Sequence, residues 1–354
     1  MQVPIQPKMG RRRWAWPAAI FVGIAVLGVF YAKWEPYYFK AFSAAAHHTL
    51  GQSIVTGSSA AAPQVGFHAA LTYTVDYFKD IWIALVVGLL VGAGVQTLLP
   101  ASWLYRVLGR VSPKSRALAV AAAVPSMMCT CCSAPIAVSM KKKNLSTGAT
   151  LAYWLGNPIL NPATIIFMGF VLGWNWAMLR IGMGLVLVFG VSWLGDRWMD
   201  SGKSSQETPL TREVTRPTDE PATLGRFLST LGRLAVGLIP EYIIIVAILG
   251  AVRAWLFPAM NPAIGHSLWL MVALAIFGTL FVIPTAGEIP IIQTLMSFGL
   301  GLGAGGTLML ALPAVSLPSM AMVGQQLGTR TMVKVAALVA IAALITGLLA
   351  LWLL

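Results

Sequence analysis

The sequence is poor in charge, and above all in acid. Only 10% of its 354 residues are Asp, Glu, Lys or Arg, and 11 of these are acidic. Soluble domains carry roughly 25% charged residues. A globule of this length with so little charge could not cover its surface with polar groups, which excludes a soluble enzyme and a disordered chain. Cysteine is scarce too. Three residues are too few for a disulfide-stapled secreted module.

What fills the chain instead is apolar. Hydrophobic residues make up 58% of it and the mean hydropathy is +0.78. An all-α polytopic membrane protein is the class that fits, with membrane lipid as its surroundings. The formal charge of +13 would suit nucleic acid, but the basic residues sit between long apolar runs, so no nucleic-acid partner is expected. They cluster at Lys8, Arg11, Arg12 and Arg13, at Arg106, Arg110, Lys114 and Arg116, and at Lys141, Lys142 and Lys143. Loops rich in Lys and Arg stay on the cytoplasmic side, which predicts a multi-pass protein of the cytoplasmic (inner) membrane with its N-terminus inside. The first apolar run, Trp14 to Tyr31, exceeds the roughly 7–15 residues of a signal-peptide core and reads as a retained span.

About nine apolar segments follow one another, near 14–34, 80–99, 115–139, 146–173, 176–195, 227–257, 266–296, 303–323 and 333–354. A Ser- and Ala-rich stretch from Glu35 to about His68 reads as a periplasmic loop. The hydrophilic run from Asp196 to Arg226, with Pro209, Pro217 and Pro221, reads as a flexible cytoplasmic linker. The expected organisation is therefore 1–79 for the first span and loop, 80–195 for one membrane repeat, 196–226 for the linker and 227–354 for a second repeat.

The two repeats are expected to be copies. Gly92–Pro100 (GAGVQTLLP) and Gly250–Pro258 (GAVRAWLFP) are 158 residues apart, as are Gly148 and Gly306. Pro125 and Pro284 are 159 apart. The segments 115–139 and 266–296 each carry two prolines, at 125 and 135 and at 284 and 290. If both are broken hairpins, the Lys141–Lys143 and Arg330/Lys334 loops share the cytoplasmic side and the copies are inverted. If both cross, those basic residues face outward. The positive-inside bias favours the hairpins, although 18 apolar residues from His266 to Ile283 are long enough to cross. Inverted repeats with interrupted helices are an architecture of secondary transporters.

All three cysteines, Cys129, Cys131 and Cys132, lie within four positions between Pro125 and Pro135. Proline breaks the helix there, and irregular backbone at membrane depth persists only where protein buries it or a cavity hydrates it. A cluster of thiols in such a break suits soft metals or metalloids, and if Pro135 opens the second half-helix, its amides point at the thiols. The bland alternative is that small apolar residues fill a tight helix contact. A closed zinc site lacks a fourth ligand, and no resident metal or cofactor is expected. Cys129 and Cys132 also form a C-x-x-C pair, which admits a thiol-redox reading.

The matching break, Pro284-Thr-Ala-Gly-Glu-Ile-Pro290, places Glu288 in apolar surroundings, as a carrier of a coupling proton, a cation ligand or a structural carboxyl. Glu241 and Arg253 are weaker candidates. Asn157 and Asn161 lie in Gly156-Asn-Pro-Ile-Leu-Asn-Pro162, with Pro158 and Pro162, echoed by Pro313-Ala-Val-Ser-Leu-Pro318. They would share a face if helical geometry survives the prolines, and could bind substrate or satisfy freed backbone. Gly88/Gly92 and Gly169/Gly173 have the spacing of close helix packing.

These motifs resemble those of the ArsP-type predicted permeases. Cys-Thr-Cys-Cys-Ser-Ala-Pro is similar to that family's C-S-C-G-x-x-P, and the Asn-Pro-x-x-Asn-Pro and Pro-Thr-Ala-Gly-Glu-Ile-Pro runs look like its further signatures, over about 80–354. The resemblance implies an inner-membrane permease. Characterised members export trivalent organoarsenicals. Cys129 and Cys131 match the paired cysteines, whereas Cys132 stands where the family usually has glycine. The combined expectation is a permease, not an enzyme, exporting a small thiophilic or metalloid solute by alternating access, with substrate held by Cys129, Cys131, Cys132, Asn157, Asn161 and Glu288. The rivals are a membrane thiol oxidoreductase using Cys129 and Cys132, and a channel subunit of a larger complex. The sequence leaves the oligomeric state open.

Overall fold

The computed structural model describes residues 12–51, 66–99, 101–199, 223–256, 267–297 and 299–354. Every regular element among them is helical. α1 (Arg12–Val29) passes through a π turn (Phe30–Trp34) into α2 (Glu35–His47), followed by α3 (Phe67–Thr97) and α4 (Ala101–Leu108). Prolines and left-handed residues cut the next runs into α5 (Pro113–Ala123), α6 (Thr130–Lys142), α7 (Thr147–Ile159) and α8 (Pro162–Val171), before the long α9 (Trp174–Met199). The remainder comprises α10 (Leu224–Leu256), α11 (Leu268–Leu280), α12 (Glu288–Ser297), α13 (Leu302–Ala314), α14 (Leu317–Leu327) and α15 (Thr329–Leu353).

Among the described residues, five stretches are long and apolar enough to cross a bilayer, and α13 with α14, bent by 48°, adds a sixth if the pair is one span. Large apolar side chains such as Val236, Trp269 and Trp352 stand exposed, as hydrocarbon requires and water does not allow in such numbers. The chain is an all-α polytopic membrane protein.

Part of the stretch expected as a loop from Glu35 to His68 is helical, and its residues 52–65 lie outside the described ones. Glu35–His47 is helical and continues the apolar stretch Ala19–His47. Pro36 sits where the π turn passes into α2, so the donor it lacks falls at an existing distortion of the helix. Tyr37, Tyr38, Phe39 and Phe42 supply the apolar surface that a reading weighted by the small Ser and Ala residues undervalues. α3 likewise begins at Phe67 instead of near 80. Most of the expected linker (200–222), Pro100, Pro258 and His266 fall outside the described residues, as do the side chains of Glu241 and Arg253.

One order of elements occurs twice: long helix, helix–break–helix, helix–break–helix, long helix. It runs through α3, α5–α6, α7–α8 and α9, and again through α10, α11–α12, α13–α14 and α15. Met127 and Ala286, 159 residues apart, adopt left-handed backbone (φ 49° and 65°) in the two matching breaks.

Contacts at the helix ends fix how these units run. Asp196, near the end of α9, pairs with Arg116 of α5 (2.8 Å) and accepts from the Gly148 amide at the start of α7 (2.6 Å). The start of α5 and the end of α6 thus lie together, so α5 and α6 form a hairpin. In the second half, Met271 of α11 packs against Gly303, and Met296 of α12 against Gly305, both near the start of α13. α11 and α12 form a hairpin as well. Gly305 also meets Trp176, at the beginning of α9. Trp176 and Asp196 are 20 residues apart on one helix, about 30 Å. The hairpins therefore open at opposite ends of α9, and the halves are inverted. Lys334, early in α15, stacks on the Trp198 ring at the far end of α9 (4.9 Å), as antiparallel α9 and α15 require.

Candidate functional site

The hairpin tips meet in the middle of the molecule. At the first tip, Cys129 is the N-cap of α6, and the Ser133 amide donates to its carbonyl (3.1 Å) to close the first turn. Pro135 does not open this helix but lies inside it. The helix start is set by that first bond, and Pro135 only deprives the Cys131 carbonyl of a backbone donor. The thiols still occupy the N-terminal turn. None of the three is in a disulfide, and all are buried. Cys129 Sγ is 3.1 Å from Cys132 Sγ, while Cys131 Sγ is 3.3 Å from Ser316 Oγ, in the break between α13 and α14.

Helical geometry does not survive the Asn-Pro motif. α7 ends at Ile159 and Asn161 caps α8, so the asparagines do not share a face. Asn157 Oδ1 accepts from Ser126 Oγ and from the Met128 amide (3.4 Å), and its Nδ2 donates to Tyr153 O (2.9 Å). It thereby holds the first tip. Asn161 Oδ1 accepts from the Ala163 and Thr164 amides (3.0 and 3.3 Å), while its buried Nδ2 has no partner. Pro162 and Pro318 sit in the first turns of α8 and α14, and Pro290 in that of α12, where an N–H is dispensable. Pro158 and Pro313 lie in the last turns of α7 and α13.

At the second tip, Glu288 opens α12 and is 1% exposed. Its partner was not foreseen. Arg180, in the second turn of α9 and fully buried, places Nη1 2.7 Å from Glu288 Oε1. The contact is an ion pair without hydrogen-bond geometry, and Oε2 meets no donor. The same guanidinium donates to the carbonyls of Pro158 (2.8 Å), Ile159 (3.1 Å) and Met309 (3.3 Å). One side chain therefore ties the second tip to the ends freed by the Asn-Pro break. The signal was available: Arg180 is an isolated charge within an apolar run.

Cys129, Thr130, Pro158, Thr164, Ile283–Ala286, Glu288, Leu312 and Pro313 enclose a cavity of about 10 Å³, about what one water needs. Pro284, Thr285 and Ala286 also line a second, wider space of about 170 Å³, together with Lys33, Tyr37, Lys40, Asp80 and Gly287. Leu50, just past the end of α2, also lines this vestibule, which sets it toward the end of the molecule away from the basic loops. The α1–α2 helix closes both tips: Trp34 Nε1 donates to Pro125 O (2.9 Å), and Lys33 Nζ to Thr285 Oγ1 (3.0 Å). Lys33 and Trp34 belong to a π turn, a distortion frequent at functional sites. Two larger apolar grooves, lined by Ile24, Val87 and Leu224 and by Ile276, Met332 and Val333, face the bilayer and carry no titratable side chain.

Residues 66–351 match the model of the family described as ArsP_1, predicted permease. The chain belongs to the ArsP_1 predicted permease family. It is 44% identical over 340 residues to UPF0718 protein YraQ of Escherichia coli (strain K12), covering 95% of both chains. It is 24% identical over 341 residues to UPF0718 protein MJ0584 of Methanocaldococcus jannaschii, covering 78% of this chain and 93% of that one. No solved structure matches it.

The protein is thus a membrane transporter, and its glycines show how tightly this permease is packed. A Cβ at Gly88 would stand 2.3 Å from the Cys132 carbonyl oxygen, and one at Gly92 3.1 Å from that of Pro135. α3 therefore lies directly against the thiol-bearing helix. Gly169 and Gly173 serve a corner instead: Gly169 lies under the Trp174 ring, and Gly173 takes φ 114° between α8 and α9.

Proposed function

We propose that the permease moves a small thiophilic solute, such as a trivalent organoarsenical, through the cavity between the hairpin tips. The observation that carries this reading is the cavity itself, with the Cys129 thiol on one wall and the Glu288 carboxylate on the other. Thiols bind soft centres in preference to hard ions. Cys131 and Cys132, one step away on α6, are further ligands once the tips part; Asn157 and Asn161 act by holding the backbone around them.

Inverted hairpins support alternating access, with the solute exposed to either side in turn. Lys142, Arg197, Arg330 and Lys334 gather at one end, and the positive-inside rule makes that end cytoplasmic. α1 runs antiparallel to α3, with Phe21 against Gly94 and Gly28 against Val87, which supports the reading that the start of α1 faces the cytoplasm. Export is then movement from the basic end toward the vestibule.

The test is accumulation of trivalent methylarsenical in everted membrane vesicles by the wild type, Cys129→Ser and Cys131→Ser. Thiol-dependent accumulation supports the reading. Accumulation that survives both changes removes the thiol mechanism, and none in the wild type rejects this substrate. The 3.1 Å between Cys129 and Cys132 favours a second reading, a membrane thiol oxidoreductase, which requires a disulfide formed and broken in each turnover.

A further inference from the structure

Lys33 is a buried ammonium that no carboxylate contacts among the described residues. It is 5% exposed, and its Nζ donates to Thr285 Oγ1 (3.0 Å) and Tyr37 Oη (3.2 Å). The Tyr37 ring centroid lies 5.2 Å away. Hydroxyls and an aromatic face solvate a cation without neutralising it. A charge buried this deeply is ordinarily paired. The nearby acids do not pair with it: among the described residues Glu288 is paired with Arg180, and Asp80, on the same vestibule wall, makes no ion pair with Lys33. Arg180 and Glu288 cancel, and the vestibule wall carries two lysines, Lys33 and Lys40, against the single carboxylate of Asp80, so positive charge is left over.

The position of that charge matters. Lys33 lines the vestibule, and its hydrogen bond holds Thr285, which also walls the thiol cavity. It is close enough to Cys129 and Cys132 to act on both electrostatically. A solute passing from the thiols to the vestibule, or back, must cross the Pro284–Ala286 wall beside this ammonium. A cation there meets repulsion in a medium of low dielectric constant, and an anion supplies the missing counter-charge.

We propose that Lys33 makes the vestibule side of the permease selective for anions, so that the solute handled at Cys129 carries negative charge when it passes Thr285. The inference deepens the permease reading and rests on it, because among thiophilic solutes it selects those that carry negative charge, which a trivalent methylarsenical, uncharged by itself, has only when bound to an anionic thiol. Lys33 is a specificity residue, supplied by a helix outside the 66–351 family match.

Thiol labelling tests this without a known substrate. In intact protein retaining Cys129, with Cys131→Ser and Cys132→Ser, labelling rates are compared for an anionic (sulfonate) and a cationic (trimethylammonium) methanethiosulfonate of similar size. The ratio of anionic to cationic rate should fall by about tenfold or more in Lys33→Met, the lower end of electrostatic focusing in a cleft. Lys33→Arg should retain the original ratio. Neutral N-ethylmaleimide reports folding and access in each variant, and the modified Cys129 peptide gives the same ratio in the three-thiol protein. If Lys33 merely balances a Cys129 thiolate, all reagents slow together in Lys33→Met and the ratio stays put, which overturns the proposal. A cation preference in the parent, or no labelling through the vestibule by either charged reagent, overturns it too. Failure of the arsenical assay leaves this readout intact, so the two readings fall separately.

Discussion

Arg180 Nη1 lies 2.7 Å from Glu288 Oε1, with both side chains removed from solvent. The pair joins a helix of the first half to the hairpin tip of the second, and Arg180 also holds the Pro158, Ile159 and Met309 carbonyls. Removing one member leaves a buried charge uncompensated, which costs about 3–5 kcal/mol. Arg180→Met should therefore lower the thermal midpoint in detergent more than Glu288→Gln. The double variant Arg180→Met/Glu288→Leu should recover part of the loss but not all, because the carbonyls stay without their donor. Full recovery would show that the carbonyl contacts contribute nothing.

Gly88 should tolerate no side chain. A methyl group there meets the Cys132 carbonyl oxygen at 2.3 Å and must push α3 and α6 apart. Gly88→Ala should reduce the folded yield or the melting temperature, whereas Gly182→Ala, on an open face of α9, should be neutral or stabilising by up to about 1 kcal/mol. Size-exclusion profiles with thermal challenge compare the two. Equal behaviour would mean that the α3–α6 contact is looser than described.

Mild oxidation should link Cys129 to Cys132, the pair at 3.1 Å, and leave Cys131 free beside Ser316. With diamide, the two thiols surrender two protons and two electrons to the azo group, which becomes a hydrazine. Mass spectrometry after alkylation should find Cys131 alone modified. A Cys129–Cys131 bond would refute this assignment.

Single cysteines placed on the otherwise thiol-free protein should report the inverted halves. Lys142→Cys and Arg330→Cys should label from the cytoplasmic face, and Phe67→Cys and Trp174→Cys from the other, using a membrane-impermeant maleimide. All four positions are exposed. Lys142 and Arg330 labelling from opposite faces would contradict antiparallel α9 and α15.

Much of this site was legible because proline acts locally. Pro125, Pro284, Pro158 and Pro313 mark breaks in the helices, and a break at membrane depth has to be enclosed by something. The 158-residue spacing of Gly148 and Gly306 likewise survives as matching helix starts near the beginnings of α7 and α13. The partners were not legible. Arg180 reaches Glu288 across 108 residues, and Lys33 reaches Thr285 across 252; such meetings are set by packing, not by spacing. Lys33 was further obscured because the helix continues through a π turn, so a residue that reads as the polar flank of a span lies deep inside the protein. Pro135 misled in the other direction, since a proline can sit within a helix whose start another bond has already fixed.

The α1–α2 helix has a consequence of its own. Two inverted copies, each swinging its hairpin, would make the inward-open and outward-open forms near-twins in energy, the roles of the halves simply exchanged. A transporter so balanced would rest in either form. Lys33 and Trp34 touch both tips from one helix that has no counterpart in the second half among the described residues. That helix acts as a thumb on the scale. Its hydrogen bonds to the two tips would favour the form in which the tips lie together, and a solute able to draw Lys33 off Thr285 would weaken that bias.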